Sequence, residues 1–372
     1  TLNDWRFARM EFFIEKTLKG DGSNSYVLVN QDMEIIEEVA LFLQDLERRN
    51  LAPNTVKLYC RNLKKFYEWV NKKKLNIFET SIKELIYFTD YLREQNLSPE
   101  SINNINATVK SFYQFFYQIG GYYVPLFDKN QTIYKVERQR PKSFFQHSDL
   151  LTLKTRSKQK DKRLYPRDLE ELERAIKLLY KEEPLQFRNL LMFKLLYSTG
   201  LRVGECLNLR IYDFSEPEMD KSFGYLKVIQ HSFQYHIDHS IKTLEREIPI
   251  RMSLINELDE YIQRFRPSNA QVDTIFVNHR GTNKGSYMKR ASVEKFFNKL
   301  STYTGIKCTP HMLRHTFASL LKESGVMDDL YISKLLGHSS VTTTSDIYTH
   351  IDLNTLTASY EHFIKNMKGM GF

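Results

Sequence analysis

Six side chains of this sequence could, taken together, transfer a phosphoryl group. Arg202 follows a Thr199-Gly200-Leu201 turn and opens a predicted helix. Lys242 lies in Ser240-Ile241-Lys242-Thr243, near the turn of a predicted small sheet. His311 and Arg314 belong to His311-Met312-Leu313-Arg314, one helical turn apart and so on one face. His338 closes Leu335-Leu336-Gly337-His338, and Tyr348 follows ten residues later in Ile347-Tyr348-Thr349-His350. A phosphodiester under attack becomes a dianionic, five-coordinate transition state. Two guanidiniums and one or two imidazoles stabilise that charge through preorganised, charge-assisted hydrogen bonds. A tyrosine hydroxyl is a usable nucleophile, because a phosphotyrosine intermediate keeps the bond energy for rejoining. A lysine can protonate the departing oxygen, since neighbouring cations draw its pKa down from about 10.4.

Other readings of the same residues stand beside this one. Arg202 taken alone reads as a helix-start ion pair with Glu205. His311 and His315 are spaced i and i+4, as zinc ligands on a helix are. A metalloprotease motif wants Glu after the first His, and Met312 stands there; with no clear third ligand, no metal is expected. His315 is read as a buried partner that orients the site, and Glu205 and Asp213 as structural. His350 reads either as a donor behind the tyrosine or as a surface residue. Lys242 is the only lysine between Ile229 and Ile250, which makes it the choice for the acid.

These residues need a scaffold, and the second half of the chain supplies a mostly helical one. Helical patterning resumes at Arg167. Tyr225–Ile229 and Glu247–Ile250 are short β-like runs and predict a small sheet. Helices return over Ser253–Phe265, over Ser292–Tyr303 and towards the end. The last segment repeats Leu356, Tyr360, Phe363 and Met367 on one face, to pack on its own domain or on a neighbouring copy.

The first half, from Met33 to Gly120, is helical throughout. Met33, Ile36, Val39, Leu43 and Leu46 recur at helical spacing. Asn50-Leu51-Ala52-Pro53 echoes Asn96-Leu97-Ser98-Pro99, 46 residues later, and each opens a long helix with Pro in its first turn. With a helix between them over Ser81–Gln95, two helical hairpins make a four-helix domain. Their aromatic ends, such as Phe66-Tyr67-Glu68-Trp69, are read as core. Lys57, Arg61, Lys64 and Lys65 line one side of the first echoed helix, opposite Val56, Cys60, Leu63 and Tyr67. That stripe is either a DNA-backbone contact or a solvated face. Residues 121–163 read as a linker with a basic end that includes Lys158, Lys160, Lys162 and Arg163, either a DNA contact or a charged tether. Residues 1–33 carry a short, aromatic, helix-like stretch from Trp5 to Lys19 before a Gly/Ser/Asn break.

Composition bounds the class. The 372 residues are 41% hydrophobic and 27% charged, with a net charge of +9. That suits a globular chain with a polyanionic partner. Three scattered cysteines, Cys60, Cys206 and Cys308, form no disulfide framework and fit a reducing compartment. No apolar run reaches membrane-span length and no signal-peptide pattern is present. The start at Thr1 without Met reads as a trimmed end.

At the six residues the sequence resembles the tyrosine recombinase, or phage integrase, family. Its signature is an Arg in a TGLR-type turn, a Lys on a β-hairpin, an HxxR pair, a GH dipeptide and a late YTH tyrosine. Arg202, Lys242, His311 with Arg314, His338 and Tyr348 match it in order, over roughly residues 165–360, with Tyr348 as the nucleophile. The helical first half resembles the family's SAM-like core-binding domain more weakly. The His338–Tyr348 spacing is one residue longer than the family's usual one. The resemblance implies a two-domain DNA clamp, mostly α with a small β-sheet. It divides into a 1–33 extension, a 34–120 DNA-binding domain, a 121–163 linker and a 164–372 catalytic domain. It implies cleavage and rejoining of double-stranded DNA through a 3′-phosphotyrosine and a Holliday junction, without a cofactor. A tetramer on two sites, joined through the C-terminal helix and open to accessory proteins, follows from it, in a bacterial cytosol at the nucleoid. A mobile-element integrase or transposase is favoured over a Xer-like dimer resolvase. The rivals are a type IB topoisomerase-like relaxing enzyme and a non-catalytic DNA-binding accessory protein.

Overall fold

The computed structural model describes residues 11–18, 24–120, 151–154, 163–217, 223–229, 231, 245–337 and 353–366. The chain divides into two units, Thr1–Lys158 and Gln159–Phe372.

The first unit opens with a hairpin. Strand β1 (Phe12–Leu18) pairs antiparallel with β2 (Asn24–Asn30), from Phe12↔Asn30 to Leu18↔Asn24. The helix expected over Trp5–Lys19 is therefore a strand over its described part. A short aromatic run does not distinguish the two states by composition; alternation does. Tyr26 and Leu28 are buried two apart, and together with Phe12 they enter the core of the helices that follow.

Those helices are α1 (Glu37–Arg48), α2 (Pro53–Lys72), α3 (Ile82–Glu94) and α4 (Pro99–Ile119). The first begins four residues later than its apolar spacing implies, because Met33 sits in a turn at φ +62° and Ile35 bridges back to Val29. Ser81 and Glu84 form a capping box on α3, and the Ser98 hydroxyl caps α4. The aromatic ends of α2 and α4 are core, as read: Phe66, Trp69, Phe112, Tyr113 and Phe116 are almost fully buried. Buried amides add specificity. Asn62 Nδ2 donates to Thr108 Oγ1 at 2.8 Å, tying α2 to α4. Asn106 Nδ2 donates to Leu151 O at 2.8 Å. The Asn103 amide exchanges two bonds with the Leu153 backbone, at 2.8 and 3.0 Å. Residues 151–154, read as linker, are thus fastened along α4.

The second unit contains α5 (Pro166–Leu179), α6 (Glu183–Thr199) and α7 (Val203–Asn208). A three-stranded antiparallel sheet follows, β3 (Phe214–Ser215), β4 (Phe223–Val228) and β5 (Arg246–Arg251), in the order β3-β4-β5. Next come α8 (Met252–Glu260), a wide turn over Tyr261–Phe265, α9 (Arg290–Thr304), α10 (Pro310–Glu323), α11 (Asp329–Leu336) and α12 (Leu353–Asn366). Helix α6 is buried over most of its surface, with Leu185, Leu191, Met192, Phe193, Leu195 and Leu196 facing different neighbours and the Gln186, Leu190, Lys194 and Ser198 side half-buried. It packs on α5, α10 and the 261–265 turn. Helix α12 lays Leu356, Tyr360 and Phe363 into this same core. Tyr360 donates its hydroxyl to Ser198 O at 2.9 Å, at the end of α6. Over Leu356, Tyr360 and Phe363 the apolar stripe of the last segment is therefore covered by its own unit, and Met367 lies outside the described residues.

Candidate active site

The site grows from the end of α6. Gly200 caps that helix in the left-handed region, at φ +64°. A Cβ there would lie 2.5 Å from Phe317 Cδ1 and 2.8 Å from Leu336 Cδ2, so both conformation and space demand glycine. The chain can then reverse and present Arg202 at the N-cap of α7. Glu205 reaches back to the Arg202 backbone N–H at 2.8 Å, and Arg202 Nη1 lies 3.2 Å from Glu205 Oε1. The helix-start ion pair read from sequence is real, and it leaves the Arg202 side chain about one-third exposed, at 37%.

Arg314 arrives from α10. Its Nη1 donates to Gly200 O at 2.7 Å and its Nη2 to Leu336 O at 2.8 Å. Arg202 Nη1 approaches the same Leu336 oxygen at 3.4 Å and Gly337 O at 3.2 Å. Two guanidiniums 112 positions apart in sequence therefore converge on one carbonyl, at the end of α11. A helix C-terminus leaves its last carbonyls without intrahelical donors, and here arginines supply them. Burial, followed by the charge of Arg202, pulls the Arg314 pKa down to about 10. The two cations are held close together, with the Glu205 carboxylate beside them.

His311 lies on α10 one turn before Arg314, and its Nε2 is 2.8 Å from His315 Nε2. Both imidazoles are exposed. His315 was expected to be buried; helical geometry instead turns it with His311 to the open face, while Arg314, Thr316 and Phe317 face inward. Asp213 is buried as expected of a structural acid, accepting from Arg210 N at 2.8 Å and meeting His231 Nε2 at 2.6 Å. Lys242, His338, Tyr348 and His350 lie outside the described residues.

Sequence reasoning missed Arg246. It donates to Leu335 O at 2.8 Å and to the two Glu205 oxygens at 3.1 and 3.0 Å. The signal was there: Arg246, Ile248 and Ile250 alternate, so Arg246 must point inward with the two isoleucines, and a buried charge needs a partner.

Of the predicted DNA contacts, Arg61 and Lys65 are exposed on α2, and Lys57 and Lys64 are half-buried. The last two stand over hairpin rings, Lys57 Nζ 4.9 Å from the Tyr26 centroid and Lys64 Nζ 5.6 Å from that of Phe13. Arg163 is paired with Glu323 and lies over the Tyr165 ring. Lys158, Lys160 and Lys162 lie outside the described residues.

A SAM-like helical unit followed by a mostly helical unit with a small sheet and two convergent arginines defines the tyrosine recombinase class. The chain belongs to the phage integrase family: that family's profile matches residues 162–354, and the profile for its N-terminal SAM-like domain matches residues 39–120. Transposase A from transposon Tn554 of Staphylococcus aureus is 25% identical over 370 residues, covering 91% of this chain and 94% of its own. Tyrosine recombinase XerD of Listeria monocytogenes is 30% identical over 202 residues, covering 53% of this chain and 61% of its own. Among solved structures, the Tn1549 transposon integrase in complex with circular intermediate DNA shares the fold, with a TM-score of 0.57 at 20% identity. It covers 86% of this chain and 98% of that one. The XerH site-specific recombinase bound to difH substrate has a TM-score of 0.56 at 20% identity, covering 87% of this chain and 83% of that one.

Proposed function

We propose that this chain is the site-specific recombinase of a mobile element, cutting and rejoining double-stranded DNA through Tyr348. The carrying observation is the convergence of Arg202 and Arg314 on the Leu336 carbonyl oxygen, which puts two guanidiniums within reach of one small anion. A scissile phosphate offers such oxygens, and its charge rises as the tyrosine attacks. In this reading the Tyr348 hydroxyl displaces the DNA 5′ oxygen, leaving a 3′-phosphotyrosine. Arg202, Arg314, His311 and His338 bind the non-bridging oxygens, and Lys242 protonates the departing oxygen. A 5′ hydroxyl from the partner duplex then attacks the phosphotyrosine, and two such exchanges pass through a Holliday junction. No outside energy source enters, because each cleavage stores its bond energy in the covalent link.

The relation to the Tn554 transposase, which runs along nearly all of both chains, supports a mobile-element role. The higher identity to XerD over about half of this chain favours a dimer resolvase as the second reading. DNA would be held by Lys57, Arg61, Lys64 and Lys65, and by Lys158, Lys160, Lys162 and Arg163. Recombination on two sites requires a tetramer, which α12 could join by exchange: the contacts it makes in its own unit can be made on a neighbour's, as in domain swapping. Protein mixed with nicked duplex and run on a denaturing gel should show a covalent adduct that Tyr348→Phe abolishes without loss of DNA binding. Normal adduct levels in that variant would move the nucleophile elsewhere. Sequencing the recombined junctions separates the two biological readings.

A further inference from the structure

Arg246 stands where no catalytic scheme above uses it, and it is among the most deeply buried charges of the second unit. Its side chain is 4% exposed and that of Glu205 is 1%. Its fork lies flat on the carboxylate, Nη1 to Oε1 and Nη2 to Oε2, while its Nε holds the Leu335 carbonyl. The same two oxygens serve Arg202: Oε2 its backbone N–H and Oε1 its guanidinium. One carboxylate is thus shared by two arginines, with Arg314 close enough that both of their charges lower its pKa. Gly337 closes the arrangement. It sits at φ +64°, and a Cβ there would fall 2.7 Å from Arg246 Nη1.

From this we infer that Arg246 is a positioning residue for strand cleavage: by taking up the charge of Glu205 it keeps Arg202 available to the phosphate. The inference rests on the reading of Arg202 as a phosphate ligand. A carboxylate is needed to fix the turn that presents Arg202, because it caps the α7 backbone. Left alone, that carboxylate would also draw the Arg202 guanidinium into a two-ended pair, since Arg and carboxylate match fork to fork. Arg246 occupies that bidentate place. Arg202 keeps one 3.2 Å contact to the carboxylate through Nη1, which also meets the Leu336 and Gly337 carbonyls, and its side chain stays 37% exposed. The cluster of three arginines and one glutamate therefore carries a net charge of +2, placed beside the last carbonyls of α11. The Nε bond to Leu335 also ties the base of β5 to the residue three positions before His338.

The test is a double-mutant cycle on the full chain, read as single-turnover adduct formation on nicked duplex. Arg246→Met keeps length and removes charge, and should slow adduct formation by roughly tenfold or more, since the phosphate loses part of a donor. Glu205→Gln removes the charge that Arg246 answers, while its side-chain oxygen still caps Arg202. Combining the two should restore the rate to within about threefold of Glu205→Gln alone, because neighbours that act through each other are not additive. Losses that simply multiply would overturn the inference and leave Arg246 a packing residue. If Arg246→Met does not fold, Arg246→Lys decides. It keeps the charge without the fork, which leaves Glu205 open to a two-ended pair with Arg202, and should slow adduct formation by about tenfold or more, whereas a folded Lys variant within about threefold of wild type overturns the role. Failure of the recombinase reading looks different, because wild-type protein would then form no adduct at Tyr348.

Discussion

Arg314 shows how a single residue acquires its chemistry. Its guanidinium is buried beside Arg202, and its pKa is held down to about 10, first by burial and then by its neighbour's charge. The sign of the pH effect follows. The charged form is present below pH 10 and is lost as pH rises through it, so adduct formation at subsaturating DNA should fall along a limb near pH 10. Bound phosphate favours the cation and should move that limb upward at saturating DNA. Stability runs the other way. The unfolded arginine, with its higher ordinary pKa, binds more protons as pH rises above about 10, so this group's cost to folding shrinks there. A rate that stays flat to pH 11 at low DNA would show that Arg314 keeps its proton over that range. Lys242 can be isolated by substrate chemistry. Sulfur in place of the bridging 5′ oxygen makes the leaving group weakly basic, so it needs little protonation. Lys242→Ala should be slow on ordinary DNA and recover on the 5′-thio substrate. Arg202→Ala, expected to lose on the order of 10²–10³ in rate, should not recover, because its proposed place is on the non-bridging oxygens. Equal defects of Lys242→Ala on both substrates would exclude it as the acid.

Among the elements, α12 carries the clearest consequence. Its spacing of Leu356, Tyr360 and Phe363 was legible in the sequence, but the surface that covers them was not. Periodicity gives the face of a helix and says nothing of its neighbour. The structure supplies that neighbour in Ser198, Phe223 and Phe317 of the same unit. Phe363→Ala should therefore destabilise the catalytic unit by about 3–5 kcal/mol, as large-to-small changes in a packed core do. Urea unfolding of the full chain, followed by a probe in that unit, would reveal it. A change below about 1 kcal/mol would mean that the helix is only loosely held on its own unit. The hairpin β1–β2 marks the opposite limit. An aromatic run such as Phe12-Phe13-Ile14 suits a helix or a strand by composition, and the strand shows in the alternation of Tyr26 and Leu28 on its partner. Arg246 was hidden for a different reason. Its inward position follows from alternation along β5, but its partner lies 41 positions away in α7, and only folding brings the two together.

At the scale of the whole molecule, charge governs the encounter with DNA. Most of the net charge of +9 comes from residues 121–163, where 11 Lys and Arg stand against 4 Asp and Glu. Each phosphate neutralised releases counterions, so affinity should fall steeply with salt, with a log–log slope of about −0.9 per contact. Replacing Lys57, Arg61 and Lys64 together should flatten that slope by about 2–3 units. An unchanged slope would assign the α2 stripe to solvent. Division of the chain into a helical first half and a mixed second half was legible, because apolar spacing persists to Gly120 and is lost after it. The convergence of Arg202 and Arg314 was legible only as motif order. The distances depend on the α6 end, the Gly200 turn and the α11 carbonyls meeting at one point, which no local pattern encodes.

Helix α6 is packed within its own unit over most of its surface, and this bears on time rather than geometry. Amide protons in such a helix exchange with solvent only when the surrounding core opens, so α6 belongs to the slowest-exchanging part of the molecule. The turn that carries Arg202 hangs from its last residue. Openings at the rim of the fold, at loops and outer helices, can come and go many times while this arginine stays in register. The site is thus anchored to the part of the protein that fluctuates least, and a strand can be cut, held and resealed within the lifetime of one native state.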